Sequence, residues 1–192
     1  GITVYNTPDV VTNSTADLTF AILLSLIRKI SYASDFVKKD KWKAWDPELY
    51  LGEELSGKVF GILGFGKIGQ AVAKRAAGFG LDINYCNHSI KSFDPSLKQI
   101  VKSTGLNELL ETSDYLSIHL PLKDETKGFI NKQTINKMKK KPIILNMARG
   151  DIVNTNDLIE ALKAGKIRGA GLDVTSPEPL PGNNPLCHFH NC

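Results

Sequence analysis

Val59-Phe60-Gly61-Ile62-Leu63-Gly64-Phe65-Gly66-Lys67-Ile68-Gly69 is the stretch that decides the fold. A short apolar run fit for a buried strand leads into G-x-G-x-x-G at Gly64, Gly66 and Gly69, and a helical pattern follows. The glycine pattern is weak alone, but between a strand and a helix it has the context its mechanism needs. Gly64 permits the tight turn, Gly66 lets the backbone approach a diphosphate, and Gly69 lets helix and strand pack closely. Free N–H groups at the helix start then bind the anion. Gly64, Phe65, Gly66, Lys67, Ile68 and Gly69 are therefore the candidate diphosphate-binding residues of a dinucleotide cofactor.

Downstream of this loop the chain alternates strands and helices. The pattern predicts strands at 58–63, 82–86, 115–120, 143–147 and 167–174, with helices at 67–79, 106–111, 131–138 and 154–164. Short apolar strands separated by helices imply a doubly wound, parallel α/β sheet of the Rossmann type, covered on both faces. Its ligands bind beyond the carboxyl ends of the strands, where strand order reverses. Upstream, 2–5 reads as a short strand and Asn6-Thr7-Pro8-Asp9 as a turn. An entry helix follows over about 14–31, capped by Asn13 or Ser14. Leu23, Leu24 and Ile27 widen its apolar stripe, so it should be buried by more than one neighbour, including a second subunit. Trp42 and Trp45 fall in an irregular segment.

A carboxylate about 20 residues after the glycine loop would bind the ribose 2′-hydroxyl of NAD. The sequence there is Tyr85-Cys86-Asn87-His88-Ser89-Ile90-Lys91, without an acid; Asp82 comes too early and Asp94 too late. Asn87, His88, Ser89 and Lys91 would tolerate a 2′-phosphate that a carboxylate repels. NADP(H) is accordingly favoured, and NAD(H) held without the carboxylate stays open.

Composition closes off other classes. With 42% hydrophobic and 23% charged residues and a net charge of +4, the 192-residue chain matches an ordinary soluble domain large enough to fold unaided. The dense basic cluster, Lys137, Lys139, Lys140 and Lys141, reads as a helix end before Pro142, and no aromatics interleave it, which argues against nucleic acid. Cys86, Cys187 and Cys192 make no metal-type spacing; their sparse placement suggests a reducing, cytoplasmic setting. The apolar stretch 16–27 is interrupted by Asp17, Thr19 and Ser25 and is too short to span a bilayer. The opening GITVYNTPDV reads as mid-protein and the closing HFHNC lacks a domain-ending cap, so a piece of a longer chain is expected.

Three stretches carry chemistry. In Asn146-Met147-Ala148-Arg149-Gly150, at a strand's carboxyl end, the planar fork of Arg149 suits the carboxylate and carbonyl of a 2-oxo acid. Asp173 ends the last strand, close to where a nicotinamide would lie. Glu178, in Ser176-Pro177-Glu178-Pro179, is placed to orient a histidine and raise its pKa. Taken singly, each is matched by a surface salt bridge; in this order on successive strand ends they point to one family.

The chain resembles the D-2-hydroxyacid dehydrogenases along essentially its whole length, through NTPDVVTNSTADLTFAILL, GFGKIGQAVA, HLPLKDET, NMARGDIVN and GLDVTSPEPLPGNNPL. GLDVTSPEPLP looks most like the glyoxylate/hydroxypyruvate reductase branch, which typically prefers NADPH. The resemblance implies that Arg149 binds substrate, that Glu178 partners the catalytic histidine, and that Asp173 contacts the nicotinamide carboxamide. It also implies that Leu120, Pro121, Thr126, Met147 and Ala148 line the cofactor site. The family's histidine belongs to a PHxG motif beyond residue 192; His188 and His190 precede that position, and His119 reads as structural. A separate substrate domain and a homodimer involving the helix at 16–27 are implied as well. Two other readings share these features: a cofactor-sensing co-repressor, and an NAD-dependent relative acting on phosphoglycerate or formate.

Overall fold

The computed structural model describes residues 2, 3, 5, 10–89 and 93–192. The expected turn at 6–9 and the candidate Lys91 lie outside the described residues, and residues 2, 3 and 5 form no strand. Two helices come first, α1 (Thr12–Ile27) and α2 (Ile30–Lys38). Then follow β1 (Val59–Leu63), α3 (Lys67–Gly78), β2 (Asp82–Cys86), β3 (Val101–Ser103), α4 (Leu106–Thr112) and β4 (Tyr115–Ile118). The chain continues through α5 (Lys132–Ile135), β5 (Ile143–Asn146), α6 (Thr155–Lys163) and β6 (Gly169–Leu172).

The strands form one sheet in the order β3-β2-β1-β4-β5-β6, every pair parallel. This is the Rossmann-type α/β arrangement. Chain order reverses beside β1, whose Leu63 pairs in register with Cys86 on one side and Ile118 on the other. A crevice therefore opens between the carboxyl ends of β1 and β4. All residues of β4 and β5 are buried, as strands covered on both faces must be.

Each face of the sheet has its own core. On one, Phe20 of α1 stacks on Phe60 at 5.5 Å and on Phe79 at 5.0 Å. On the other, Leu109 and Leu110 of α4 and Leu158 of α6 pack with Leu116 and Ile144. The buried set of α1 is Ala16, Thr19, Phe20, Leu23 and Ile27, a single helical stripe met by α3 and β6. Gly171 permits the close approach to β6, because a Cβ there would lie 2.4 Å from Ile22 Cγ2.

Several details differ from the sequence expectation. Val11 precedes α1 without a side-chain cap, and Asn13 and Ser14 lie inside the helix. Ser14 Oγ instead donates back to the Val11 carbonyl at 3.1 Å. The entry helix is not continuous to 31: Lys29 adopts φ 54°, and α2 starts anew after it. No residue of α2 is buried, although Ile30, Ala33, Phe36 and Val37 recur at helical spacing. The edge strand β3 is only three residues long and half-exposed, below the reach of periodicity. The lysine cluster lies past the end of α5, not on its last turn; Lys137 reaches Asn107 at 3.1 Å and Lys139 reaches Glu111 at 2.8 Å, both on α4.

At the amino-terminal edge of the sheet, Arg168 gathers four groups. It donates to both carboxylate oxygens of Glu53, to the Asp114 carbonyl at 3.1 Å and to the Lys141 carbonyl at 3.2 Å. Its guanidinium also lies 5.5 Å from the centre of the Tyr115 ring. Burial, reinforced by Glu53, pushes the Tyr115 phenol up to about 12. The cluster ties the segment entering β1 to β4 and β6. Arg168→Ala is expected to cost about 1–3 kcal/mol, discounted for the partial exposure of the pair. A urea melt should show a lower midpoint at unchanged slope; an unmoved midpoint would make the cluster ornamental.

Candidate functional site: a dinucleotide crevice

The glycine loop is built by backbone geometry that side chains would prevent. Gly64 sits at φ +95°, where a Cβ would lie 2.6 Å from the His119 carbonyl oxygen; at Gly69 one would lie 2.4 Å from the Gly64 oxygen. The space over Gly66 is open to 4 Å. Gly66 caps α3 in extended conformation with no side-chain hydrogen bond, and Gly66 and Lys67 are exposed. A 12-residue helix thus points its amino end into the crevice with room above it. The open cradle over Gly66 fits the diphosphate of a dinucleotide.

Phe65 and Ile68 serve the loop from below. The Phe65 ring is fully buried, stacked on Tyr85 at 4.0 Å, so only its backbone faces the loop. Ile68 packs against the core shared by α1 and α3. At the end of β2, Asn87 is half-buried while His88 and Ser89 are exposed. Asp94 does not supply the missing acid. Lys74 holds it at 2.5 Å and Ser96 donates to it twice, which pulls its carboxyl down to about 2.

On the facing side, His119 follows β4. Its Nε2 meets Ser117 Oγ at 2.8 Å, while its buried Nδ1 has no partner. Burial depresses its pKa to about 4, so it stays neutral. Its ring resonances are expected to show no titration between pH 8 and pH 5 in a proton NMR series; an inflection near pH 6.5 would contradict the buried placement. The sign for stability follows: the unfolded histidine binds its proton first, so acidification from about pH 6.5 towards pH 4 destabilises the fold. Leu120 is half-buried and Pro121 exposed. Thr126 is buried and shapes this loop, donating to the Pro121 carbonyl at 2.7 Å and accepting from Lys123 N at 2.8 Å.

The loop after β5 is braced by Asn146, which is 1% exposed. Its Nδ2 donates to the Arg149 carbonyl at 2.9 Å and its Oδ1 accepts from Ala148 N at 3.1 Å. Met147 and Ala148 are buried on opposite faces of the sheet. Arg149 is exposed, with one guanidinium nitrogen on the Ala148 carbonyl at 2.6 Å. Gly150 allows the segment after β6 to close on this loop, since a Cβ there would lie 1.9 Å from the Thr175 oxygen. Ser176 Oγ then donates to Asp151 at 2.5 Å, Thr155 Oγ1 to the Ser176 carbonyl at 2.6 Å, and Asp173 N to the Asn146 carbonyl at 3.1 Å. The loop carrying Arg149 and the segment carrying Asp173 and Glu178 are thereby fastened together at the carboxyl edge of the sheet. All three charged side chains are exposed, and none enters an ion pair among the described residues. Sequence reasoning missed Asn146 and Gln70 as bracing residues; the only signal was a polar side chain on a buried face.

Sheet order, glycine cradle and this charged edge define a dinucleotide-binding domain of a dehydrogenase. The family model described as D-isomer specific 2-hydroxyacid dehydrogenase, NAD binding domain, matches residues 20–192, and the chain belongs to that family. A glyoxylate reductase of Korarchaeum cryptofilum is 44% identical over 192 residues, covering 100% of this chain and 58% of the relative. Among solved structures, a glyoxylate reductase from Paecilomyes thermophila superposes with a TM-score of 0.88 at 34% identity, over 100% of this chain and 56% of that one. A D-lactate dehydrogenase from Lactobacillus jensenii, solved with NAD+, gives a TM-score of 0.84 at 27% identity, over 99% and 60%. The chain therefore spans somewhat over half the length of these proteins.

Proposed function

We propose that these residues are the coenzyme domain of an enzyme that reduces glyoxylate or hydroxypyruvate to the D-2-hydroxy acid, with NADPH preferred over NADH. The observation that carries this reading is Arg149, exposed at the end of β5 and fastened through Asn146 and Gly150 to the segment bearing Asp173 and Glu178. The likeness to glyoxylate reductases supports the substrate class. When bound, the nicotinamide supplies the hydride. Arg149 grips the substrate carboxylate, Asp173 holds the carboxamide, and Glu178 orients a histidine contributed from outside residues 1–192. That histidine protonates the forming alkoxide, a contribution of about 10²–10⁴-fold. Steady-state assays on the full-length protein test this. Turnover of glyoxylate or hydroxypyruvate is expected there, with negligible turnover by residues 1–192 alone. Activity restricted to pyruvate, phosphoglycerate or formate, or appreciable turnover by residues 1–192, would overturn it.

A homodimer is part of the same proposal. Ile30, Tyr32, Val37, Trp42, Trp45 and Leu51 are each more than half exposed on α2 and the segment after it, and such clustering favours a covering partner. The apolar stripe of α1 is mostly consumed within the chain, so α2 and its neighbours extend the expected contact. Sedimentation of the full-length protein at twice the monomer mass supports this; a monomer at micromolar concentration contradicts it. A cytoplasmic setting accords with Cys86, Cys187 and Cys192 being unpaired. No helix of the described residues is long and apolar enough to cross a membrane.

A further inference from the structure

The sequence groups Asn87, His88, Ser89 and Lys91 as equivalent contacts for the adenosine ribose, but the side chains of the three described ones are not equivalent. Asn87 Oδ1 accepts the Phe65 N–H at 3.1 Å, and Asn87 Nδ2 donates to the Ser89 carbonyl at 2.5 Å. Both ends of this amide are thus committed to backbone. From the opposite side Gln70 does related work. Its Nε2 donates to the Phe65 carbonyl at 3.2 Å, and its Oε1 accepts Asp94 N at 2.8 Å. Gln70 is 9% exposed, so these are bonds of a buried amide. The ring of Phe65 packs in a three-ring cluster with Tyr85 at 4.0 Å and Phe93 at 6.0 Å, which themselves lie 6.4 Å apart. The N–H, the carbonyl and the ring of Phe65 are therefore all held, each by a residue of β2, of the loop beyond it, or of α3.

We infer that Asn87 and Gln70 are positioning residues that pin Phe65 and so pre-form the diphosphate loop, which takes Asn87 out of the 2′-substituent contacts that the ribose-loop reading gives it together with His88, Ser89 and Lys91. This rests on the dinucleotide reading above and divides its ribose-loop residues by role. A pinned loop favours any nicotinamide dinucleotide equally, because the diphosphate is common to NADH and NADPH. A reader of the 2′-group affects only one of them. His88 and Ser89 are exposed and stand at the carboxyl end of β2, beside the loop that Asn87 shapes.

The test is a set of variants of the purified chain, titrated with NADPH and with NADH by fluorescence, with the thermal midpoint recorded for each. Asn87→Ala should weaken both coenzymes by about the same factor, roughly five- to tenfold for one lost loop contact. The double change H88A/S89A should weaken NADPH alone by about tenfold or more. Asn87→Asp supplies a partial rescue. Its carboxylate still accepts the Phe65 N–H but loses the donor to the Ser89 carbonyl, so both coenzymes should recover only part of the affinity lost in Asn87→Ala, NADPH less than NADH because of the added charge. A purely structural asparagine would lower the thermal midpoint of Asn87→Ala and leave both dissociation constants of the folded chain unmoved. Should Asn87→Ala fold poorly, Asn87→Asp and Gln70→Glu carry the test. Gln70→Glu keeps the acceptor for Asp94 N but loses the donor to the Phe65 carbonyl, and is expected to weaken both coenzymes equally. Selective loss of NADPH in Asn87→Ala or Gln70→Glu, or no change in either coenzyme, would overturn the inference while leaving dinucleotide binding intact. An unmodified chain that binds neither coenzyme would overturn the dinucleotide reading, and this inference with it.

Discussion

Arg149→Gln in the full-length enzyme is expected to lower kcat/KM for glyoxylate by about 10²–10³-fold while leaving the NADPH dissociation constant within about twofold. A guanidinium engages a carboxylate with two parallel charged hydrogen bonds, and removing one partner of such a pair in a desolvated site costs about 3–4 kcal/mol. The loop itself should survive the change. It is Asn146 that grips the Arg149 carbonyl and the Ala148 N–H, and neither bond involves the arginine side chain. Coenzyme binding is therefore separable from substrate binding at this position. A loss below about threefold, or a parallel loss of NADPH affinity, would mean that Arg149 is not the substrate anchor.

Gly64→Ala is expected to be the most damaging single change in the coenzyme loop. The residue combines φ +95° with a position where a Cβ would lie 2.6 Å from the His119 oxygen and 2.7 Å from its carbonyl carbon. Both neighbours are backbone, so neither can swing aside. Strain of this kind costs about 2–4 kcal/mol and should separate β1 from the end of β4, with NADPH affinity falling more than about a hundredfold. Gly66→Ala makes the informative contrast. Nothing within 4 Å would meet its Cβ, and its φ of −76° is ordinary. Its stability should change by less than about 0.5 kcal/mol, yet coenzyme binding should fall, because the added methyl occupies the open cradle. Thermal unfolding and NADPH titration on the two variants separate folding from binding. Equal, small effects of both on binding would place the diphosphate elsewhere.

The legibility of this chain follows burial. Strands flanked by two layers, such as β1, β4 and β5, announce themselves as apolar runs, and their ends were readable to within about two residues. The same holds for α3 and α6, whose buried faces repeat at helical spacing. What escaped is what the core does not pay attention to. The helix α2 has no fully buried residue, and its Tyr32 and Phe36 meet Tyr50 edge-on at 5.4 Å and 5.3 Å. The strand β3 contributes Val101 and two exposed residues at the sheet's edge. At the site, the glycines and the charged residues were visible because their chemistry requires unusual residue types at set spacings. Their supports were not. Asn146 and Gln70 act through hydrogen bonds to backbone carbonyls and amides, and such partners carry no sequence signature. The role of Asn87 was obscured for a related reason, since an exposed-looking Asn-His-Ser run does not reveal that its first member is turned back onto Phe65.

The most direct measurement of the central claim is a titration of the purified 192-residue chain with NADPH and NADH, followed by nicotinamide fluorescence. We expect saturable one-site binding, abolished by Gly64→Ala, and, on the proposed reading of the ribose loop, tighter for NADPH. Saturable binding that prefers NADH would contradict the reading of the ribose loop alone. Absence of saturable binding for both coenzymes, in a chain shown to be folded, would contradict the assignment of the glycine crevice as the coenzyme site.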